Sequence, residues 1–368
     1  MTRRKALVTT TINLPTALDD YLANFSNNGH GADEIFVTVV GDRKTPGEVG
    51  DYCRTISRNH GFVVDYLDLE LQKRFLAKVS PELGEYLPFD SIQRRNIGLL
   101  WAYEKGSEVI ITIDDDNLVA GGDYLLEHSV VGTSVKLPAM QSPSGWLNVC
   151  SGLSEACGQE FYHRGYPPLQ RWTHPSIVTT VKEVNVAVNA GLWSGDPDVD
   201  AIARLHRPLN VTGFAPGAPR RFTLDRETWS PFNSQNTSLA RRVVPAYFLS
   251  PCVGRYDDIW ASYIIMKIAD HLGDSVSFGA PLVNQKRNVH NLWRDLDNER
   301  AGWQLTDSFV SALRAARIHG SGYRQCARSV LTELQNAFAR AEMERREYLY
   351  EFVRGYELWI DAFDFMPS

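Results

Sequence analysis

The opening third of the chain alternates between two hydrophobic rhythms, and this restricts the fold more than any other feature. "KALVTTT", "EIFVTVV", "FVVDYL" and "EVIITI" read as short strands, and "EIFVTVV" is of the kind buried on both faces. Between them lie "PTALDDYLANF", with apolar residues at helical spacing, and "PGEVGDYCRTISRNHG", a helix with Pro46 near its start and Gly61 after its end. A third helix is expected before the last of these strands, with Asp90 as N-cap, Gln93 completing a capping box and Gly106 at the stop. Strands alternating with helices predict an α/β fold, a mostly parallel Rossmann-type sheet covered on both faces.

The fourth strand runs straight into Asp114, Asp115 and Asp116. In such sheets ligands bind beyond the carboxyl ends of the strands, which is where this tripeptide falls. Three adjacent carboxylates repel one another unless water or a cation stands with them, and oxygen ligands suit Mg²⁺ or Mn²⁺. A solvated turn with one capping aspartate is the plain alternative.

Basic residues supply a complementary set. Arg94 and Arg95 lie in the first turn of the third helix, where backbone N–H groups already favour anions. Arg164 and Arg171 sit seven apart around the stiff "GYPP" turn. In "GRYDDIWASYIIMKIADHLG" the apolar positions place Asp257 and Asp258 at a helix N-terminus, where one caps and its neighbour is free to act as a base or accept a sugar hydroxyl. His290, on a different loop, is a candidate to complete a metal shell with Asp114 and Asp116, or a surface histidine.

The net charge of −6 among 368 residues argues against a general nucleic-acid binder but leaves room for a small anionic ligand. No run approaches the ~20 apolar residues of a membrane span, so no membrane partner is expected. Five cysteines without Cys-x-x-Cys spacing read as reduced thiols of a cytoplasmic protein. The middle third is rich in Pro, Gly and Trp, with short strands at best. From about Thr306 the pattern is helical, broken at "HGSGY", and it ends in the long amphipathic segment "AFARAEMERREYLYEFVRGYELWIDAF". Residues 1–300 are therefore expected to form the main domain. Residues 301–368 would form a helical extension that packs on it or makes the interface of a homo-oligomer, since exposed aromatic stripes of this size are unusual.

Five segments, in order, resemble the reversibly glycosylated polypeptides, or UDP-arabinopyranose mutases: "NIGLLWAYEKGSEVIITIDDDN", "RGYPPLQR", "NAGLWSGDPDVDA", "GRYDDIWA" and the terminal "ELWIDAFDF". The stretch Thr223 to Ala240 and the first strand depart from the family's pattern, which leaves the base and sugar open. The resemblance implies a glycosyltransferase-A-like mixed sheet, a divalent metal, no flavin, and interconversion of pyranose and furanose nucleotide sugars. The family's bacterial branch makes GDP-fucose the favoured substrate, with UDP-arabinose and UDP-galactose as alternatives. It implies Arg164, Arg171, Asp257 and Asp258 as catalytic, and Thr10, Asp42, Arg94, Arg95, Asp114, Asp115, Trp193 and Ser230 as nucleotide-sugar contacts. The family's first loop arginine is the one said to become glycosylated. Guanidinium is a poor nucleophile, so Arg164 is expected to clamp the diphosphate or the oxocarbenium side of the sugar, with covalent attachment as a side path. Tyr166, Trp172, Trp193 and Trp229 are expected to close the pocket.

Three other functions compete with this reading. A metal-dependent glycosyltransferase with a separate acceptor would use the same residues, and a non-catalytic partner subunit could lose them. A sugar-1-phosphate nucleotidyltransferase would want a glycine-rich loop after the first strand, where "TTTINLPT" has none.

Overall fold

A computed structural model describes residues 3–288, 291–340 and 346–366. The first half of the sheet is built as the alternation predicts, from β1 (Lys5–Thr10), α1 (Ala17–Asn27), β2 (Ile35–Val40), α2 (Val49–His60), β3 (Val63–Leu67), α3 (Leu69–Val79), α4 (Pro81–Tyr86), α5 (Arg95–Glu104) and β4 (Val109–Ile113). Strands β1, β2, β3 and β4 pair in parallel in the order β3-β2-β1-β4, with β1 at the centre, so the chain crosses over between them by helices. Every residue of β2 and β4 is buried, which is why these strands show no polar alternation. The sequence reading passed over α3 and α4.

The rest comprises β5 (Asn117–Val119), α6 (Tyr124–His128), β6 (Ser134–Gln141), β7 (Leu153–Glu155), β8 (Val178–Gly195), α7 (Ala201–His206), β9 (Val211–Phe214), β10 (Arg221–Leu224), β11 (Asn236–Ala240), α8 (Asp257–Leu272), β12 (Asp274–Gln285), α9 (Leu292–Ala315), α10 (Tyr323–Arg340) and α11 (Arg346–Ala362). Strand β11 runs antiparallel to β4 and joins the parallel half to β8, giving one mixed sheet. A Rossmann-type half continued by mixed strands is the glycosyltransferase-A-like arrangement expected above. The middle third is more regular than its composition suggested. Strand β8 is 18 residues long, and its polar first half pairs with β6 before its buried second half enters the core.

Two close approaches aim the helices that carry the polar residues. Helix α5 lies on β1 and β2 at Gly98, where an added Cβ would come within 2.5 Å of Val8 and 2.9 Å of Val40. That contact brings Arg95 to the strand ends. At Gly165, φ is +79° and a Cβ would fall 2.3 Å from Ile259, so the loop carrying Arg164 is pressed onto the first turn of α8.

The C-terminal helices pack on the body. Phe352, Tyr356 and Trp359 are fully buried, and Trp359 Nε1 donates to the Val244 carbonyl at 3.2 Å. The aromatic stripe is thus covered within the chain itself. Helix α9 begins at Leu292, so position 300 falls inside a continuous helix. Among the described residues no helix is long and apolar enough to cross a membrane, and all five cysteines are free.

Candidate active site

A cavity of about 590 Å³ opens at the carboxyl ends of β1, β2 and β4, within the ordinary range for small-ligand sites. It is lined by Thr10, Asp42, Arg94, Arg95, Asp114, Asp115, Asp116, Arg164, Asp257 and Asp258, together with Ser234, Gln235, Arg255, Gln285 and Arg287. Ten of the sequence-derived candidates therefore converge on one space.

The three aspartates take different partners. Asp114 receives a short hydrogen bond from Nη2 of Arg95, which is fully buried and also donates to the Ser234 carbonyl (2.9 Å) and hydroxyl (2.7 Å). Asp115 accepts from the Thr11 hydroxyl at 2.7 Å; burial raises its pKa, and that bond partly offsets the rise. Asp116 is different. Burial, then the charges of Asp114 and Asp115, push it up to about 6. Its Oδ1 is buried without a hydrogen-bond partner, as is Oε1 of Gln285 on the neighbouring strand. Buried carboxylates held up by like charges favour a nearby cation.

Opposite them, buried charges alternate in sign along a chain of contacts. Arg164 makes a fork with Asp198, Nε to Oδ1 at 3.0 Å and Nη2 to Oδ2 at 2.9 Å, and reaches Asp258 Oδ1 at 3.2 Å. Asp258 also accepts from the Ser234 N–H (3.0 Å) and hydroxyl (3.1 Å), which link back to Arg95 and Asp114. Burial opposes both charges of the fork, yet Arg164 holds Asp198 well below the usual carboxylate range. Burial likewise opposes Arg164, whose pKa is nevertheless raised well above normal by Asp198 and Asp258. Asp257 has the opposite environment. It accepts from Gln93 Nε2 at 2.8 Å, and burial followed by the adjacent Asp258 charge pushes it up to about 7.

Several expectations need correcting. Asp90 does not cap a helix: its φ is +55° and it pairs with Arg43 at 2.6 Å, while Ser91 caps the short turn before α5. Neither Asp257 nor Asp258 caps α8; both lie inside its first turn, and the capping position is Tyr256. Arg94 is turned into the protein and donates to Gln72 Oε1 at 2.8 and 2.6 Å. Both oxygens of Asp42 accept loop backbone N–H groups, from Arg43 and Ser91. Arg171, Trp193 and Ser230 do not line the cavity. Arg171 pairs with Asp200 at 2.7 Å and lies over the rings of Tyr162 and Trp303. Trp193 is buried behind the site, donating to Gln235 at 3.2 Å, and Ser230 is fully buried. Of the aromatics expected to close the pocket, Tyr166, Trp193 and Trp229 are core residues and Trp172 is 77% exposed. His290 lies outside the described residues.

The sequence reading missed Asp198, Ser234, Gln285 and Arg287. Asp198 stands in plain view in "GDPDVDA", but nothing local distinguishes it from the carboxylates alternating with it. Ser234 lies in the stretch that departs from the family pattern, and nothing local marked Gln285 or Arg287.

A Rossmann-type sheet with a polar cavity of both signs at its carboxyl ends defines a protein built to bind a small charged molecule. The profile of the family described as "Reversibly glycosylated polypeptide" matches residues 50–367, and the chain belongs to that family. UDP-arabinopyranose mutase 1 of Arabidopsis thaliana is 25% identical over 324 residues, spanning 86% of this chain and 83% of that protein. The protein of the same name from Oryza sativa subsp. japonica is 24% identical over 325 residues, spanning 86% and 82%. A solved mannosyltransferase, PcManGT from Pyrobaculum calidifontis with GDP-Man and Mn²⁺, overlays 98% of this chain and 86% of that one at 10% identity. Its TM-score of 0.40 is too low to inform the site.

Proposed function

We propose that the protein is a flavin-independent, divalent-metal-dependent nucleotide-sugar mutase that interconverts the pyranose and furanose forms of a nucleoside-diphosphate sugar. Its family, and relatives named as UDP-arabinopyranose mutases, support this reading. The observation that carries it is Asp257, a buried cavity-lining carboxyl pushed up to about 7 by burial and by the charge of Asp258, a carboxylate already committed to Arg164 and Ser234.

Ring contraction moves one proton and consumes nothing. The C1–O bond to the diphosphate breaks; the sugar's O4 forms a bond to C1 and gives its proton to Asp257. The C1–O5 bond then breaks as O5 takes that proton, and a diphosphate oxygen returns to C1. A group that accepts and later returns a proton works best with a pKa near the working pH. Asp258 is unsuited because its lone pairs are occupied; it fixes Arg164 and Ser234 as walls of the cavity. Intramolecular attack by O4 needs no acceptor groove.

Asp116 Oδ1 and Gln285 Oε1 are the unpartnered oxygens that would hold a cation. Among the described residues no group of three or more His, Cys, Asp or Glu is placed to hold a metal ion by itself. Mg²⁺ and Mn²⁺ keep several waters and bind through one or two carboxylates plus substrate phosphates. When bound, such an ion offsets the charge that develops on the departing diphosphate. Asp114, assigned to the metal from sequence, gives one oxygen to Arg95.

The test is incubation of purified protein with Mn²⁺ and UDP-arabinose, UDP-galactose or GDP-fucose, without acceptor. An isomer of unchanged mass is expected, with larger conversion when the furanose form is supplied. Glycosides formed only on adding an acceptor would establish the transferase reading, and no turnover with any of them would favour the non-catalytic subunit.

A further inference from the structure

Five arginines line the cavity, and four have committed guanidinium groups. Arg94 is held by Gln72, and Arg95 by Asp114 and Ser234. Arg164 is held by Asp198 and Asp258, and Arg255 by Glu299 at 3.2 Å and Asp295 at 3.5 Å. Arg287 differs. Its side chain is 8% exposed and lies 3.6 Å from Asp196 and 3.7 Å from Asp198, beyond hydrogen-bond distance. Its Nε and Nη2 are buried without any hydrogen-bond partner. Leaving two donors of a buried cation unmet is costly unless a ligand meets them.

Its position suggests which ligand. The backbone N–H groups of the residues on either side, Lys286 and Asn288, donate to the Asp116 carbonyl (3.1 Å) and Oδ2 (3.4 Å). Arg287 is therefore fastened beside the carboxylate proposed to hold the cation. A diphosphate, with two adjacent groups of oxygens, could meet the Arg287 fork with one group while the other faces the cation that Asp116 would hold.

We propose that Arg287 is the diphosphate-binding arginine of this site, and that Arg164 is a positioning residue that holds Asp198 and Asp258 in place. This inference rests on the nucleotide-sugar reading and changes the role expected of Arg164 from sequence. The guanidinium fork of Arg287 meets the diphosphate both in the bound sugar nucleotide and after the C1–O bond breaks.

The test is calorimetric titration of the full chain, with Mg²⁺, against UDP, GDP, uridine and guanosine. For wild type, the matching diphosphate should bind well above its nucleoside. Arg287→Gln should weaken diphosphate binding by roughly 10- to 100-fold and leave the nucleoside unchanged. Arg287→Lys, which keeps the charge but loses the fork, should fall between, and it serves as the folded comparison if the Gln variant is unstable. Equal diphosphate affinity in wild type and either variant would overturn the role of Arg287 while leaving the nucleotide-sugar reading intact. Wild type that binds neither diphosphate would overturn that reading and the inference with it.

Discussion

The substitution Asp257→Asn separates the structural cost of this carboxyl from its chemical use. Asparagine has nearly the same shape, and its carbonyl can still accept the Gln93 Nε2 hydrogen bond, which is 2.8 Å long in the wild type. The folded protein raises this carboxyl from 3.8 to about 7, first through burial and then through the Asp258 charge. Because the folded value lies above the unfolded one, the folded state retains a proton that the unfolded state has released between about pH 4 and pH 7. Stability therefore falls across that window as pH rises, and above it the loss amounts to about 4 kcal/mol, at roughly 1.4 kcal/mol per tenfold change in acidity. The Asn variant has no proton to lose. Urea unfolding at pH 4.5 and pH 8 should show its stability relative to wild type increasing by a few kcal/mol at the higher pH. Mutase turnover should fall at least ~100-fold, the contribution typical of a positioned proton carrier. An offset between the two proteins that is the same at both pH values, or turnover near wild type, would refute the assignment.

Asp116→Asn should weaken Mn²⁺ binding, read as loss of bound ion by electron paramagnetic resonance in the absence of substrate; chelator should inactivate wild type, and added Mn²⁺ should restore it. Arg164→Lys breaks the fork to Asp198 and leaves two buried carboxylates short of a partner, so it should cost about 3–5 kcal/mol. The unfolding midpoint measures that cost, and an unchanged midpoint would show that the Arg164 contacts are not structural.

Much of the fold was legible because it is written in local periodicity. The buried runs at β1, β2 and β4 could only be strands of a doubly covered sheet, and Gly61 and Gly273 end α2 and α8 in the left-handed conformation, with φ of +74° at each. Strand β8 escaped because its first half, "VTTVKEVN", has exposed and half-buried residues and is a strand only by pairing with β6. Asp90 was misread because capping chemistry is shared by adjacent residues: Ser91 beside it met the same turn with better geometry.

The sequence determined which residues gather at the carboxyl ends of the sheet, since strand polarity alone sends Asp114, Asp115 and Asp116 there and helix phase brings Asp257 and Asp258. What each of them does was decided by tertiary contacts. Asp198 is 34 residues from Arg164 and Asp258 is 94 away, yet these distant carboxylates occupy the arginine that sequence had assigned to the diphosphate. Arg95 reaches Asp114 and Thr11 reaches Asp115, while Asp116 keeps a buried oxygen without a hydrogen-bond partner. Charges of opposite sign pair wherever the fold brings them within reach. Sequence shows which charges exist, but the atoms left without a hydrogen-bond partner, Asp116 Oδ1 and the Arg287 Nε and Nη2, emerge only when the contacts have been made in three dimensions.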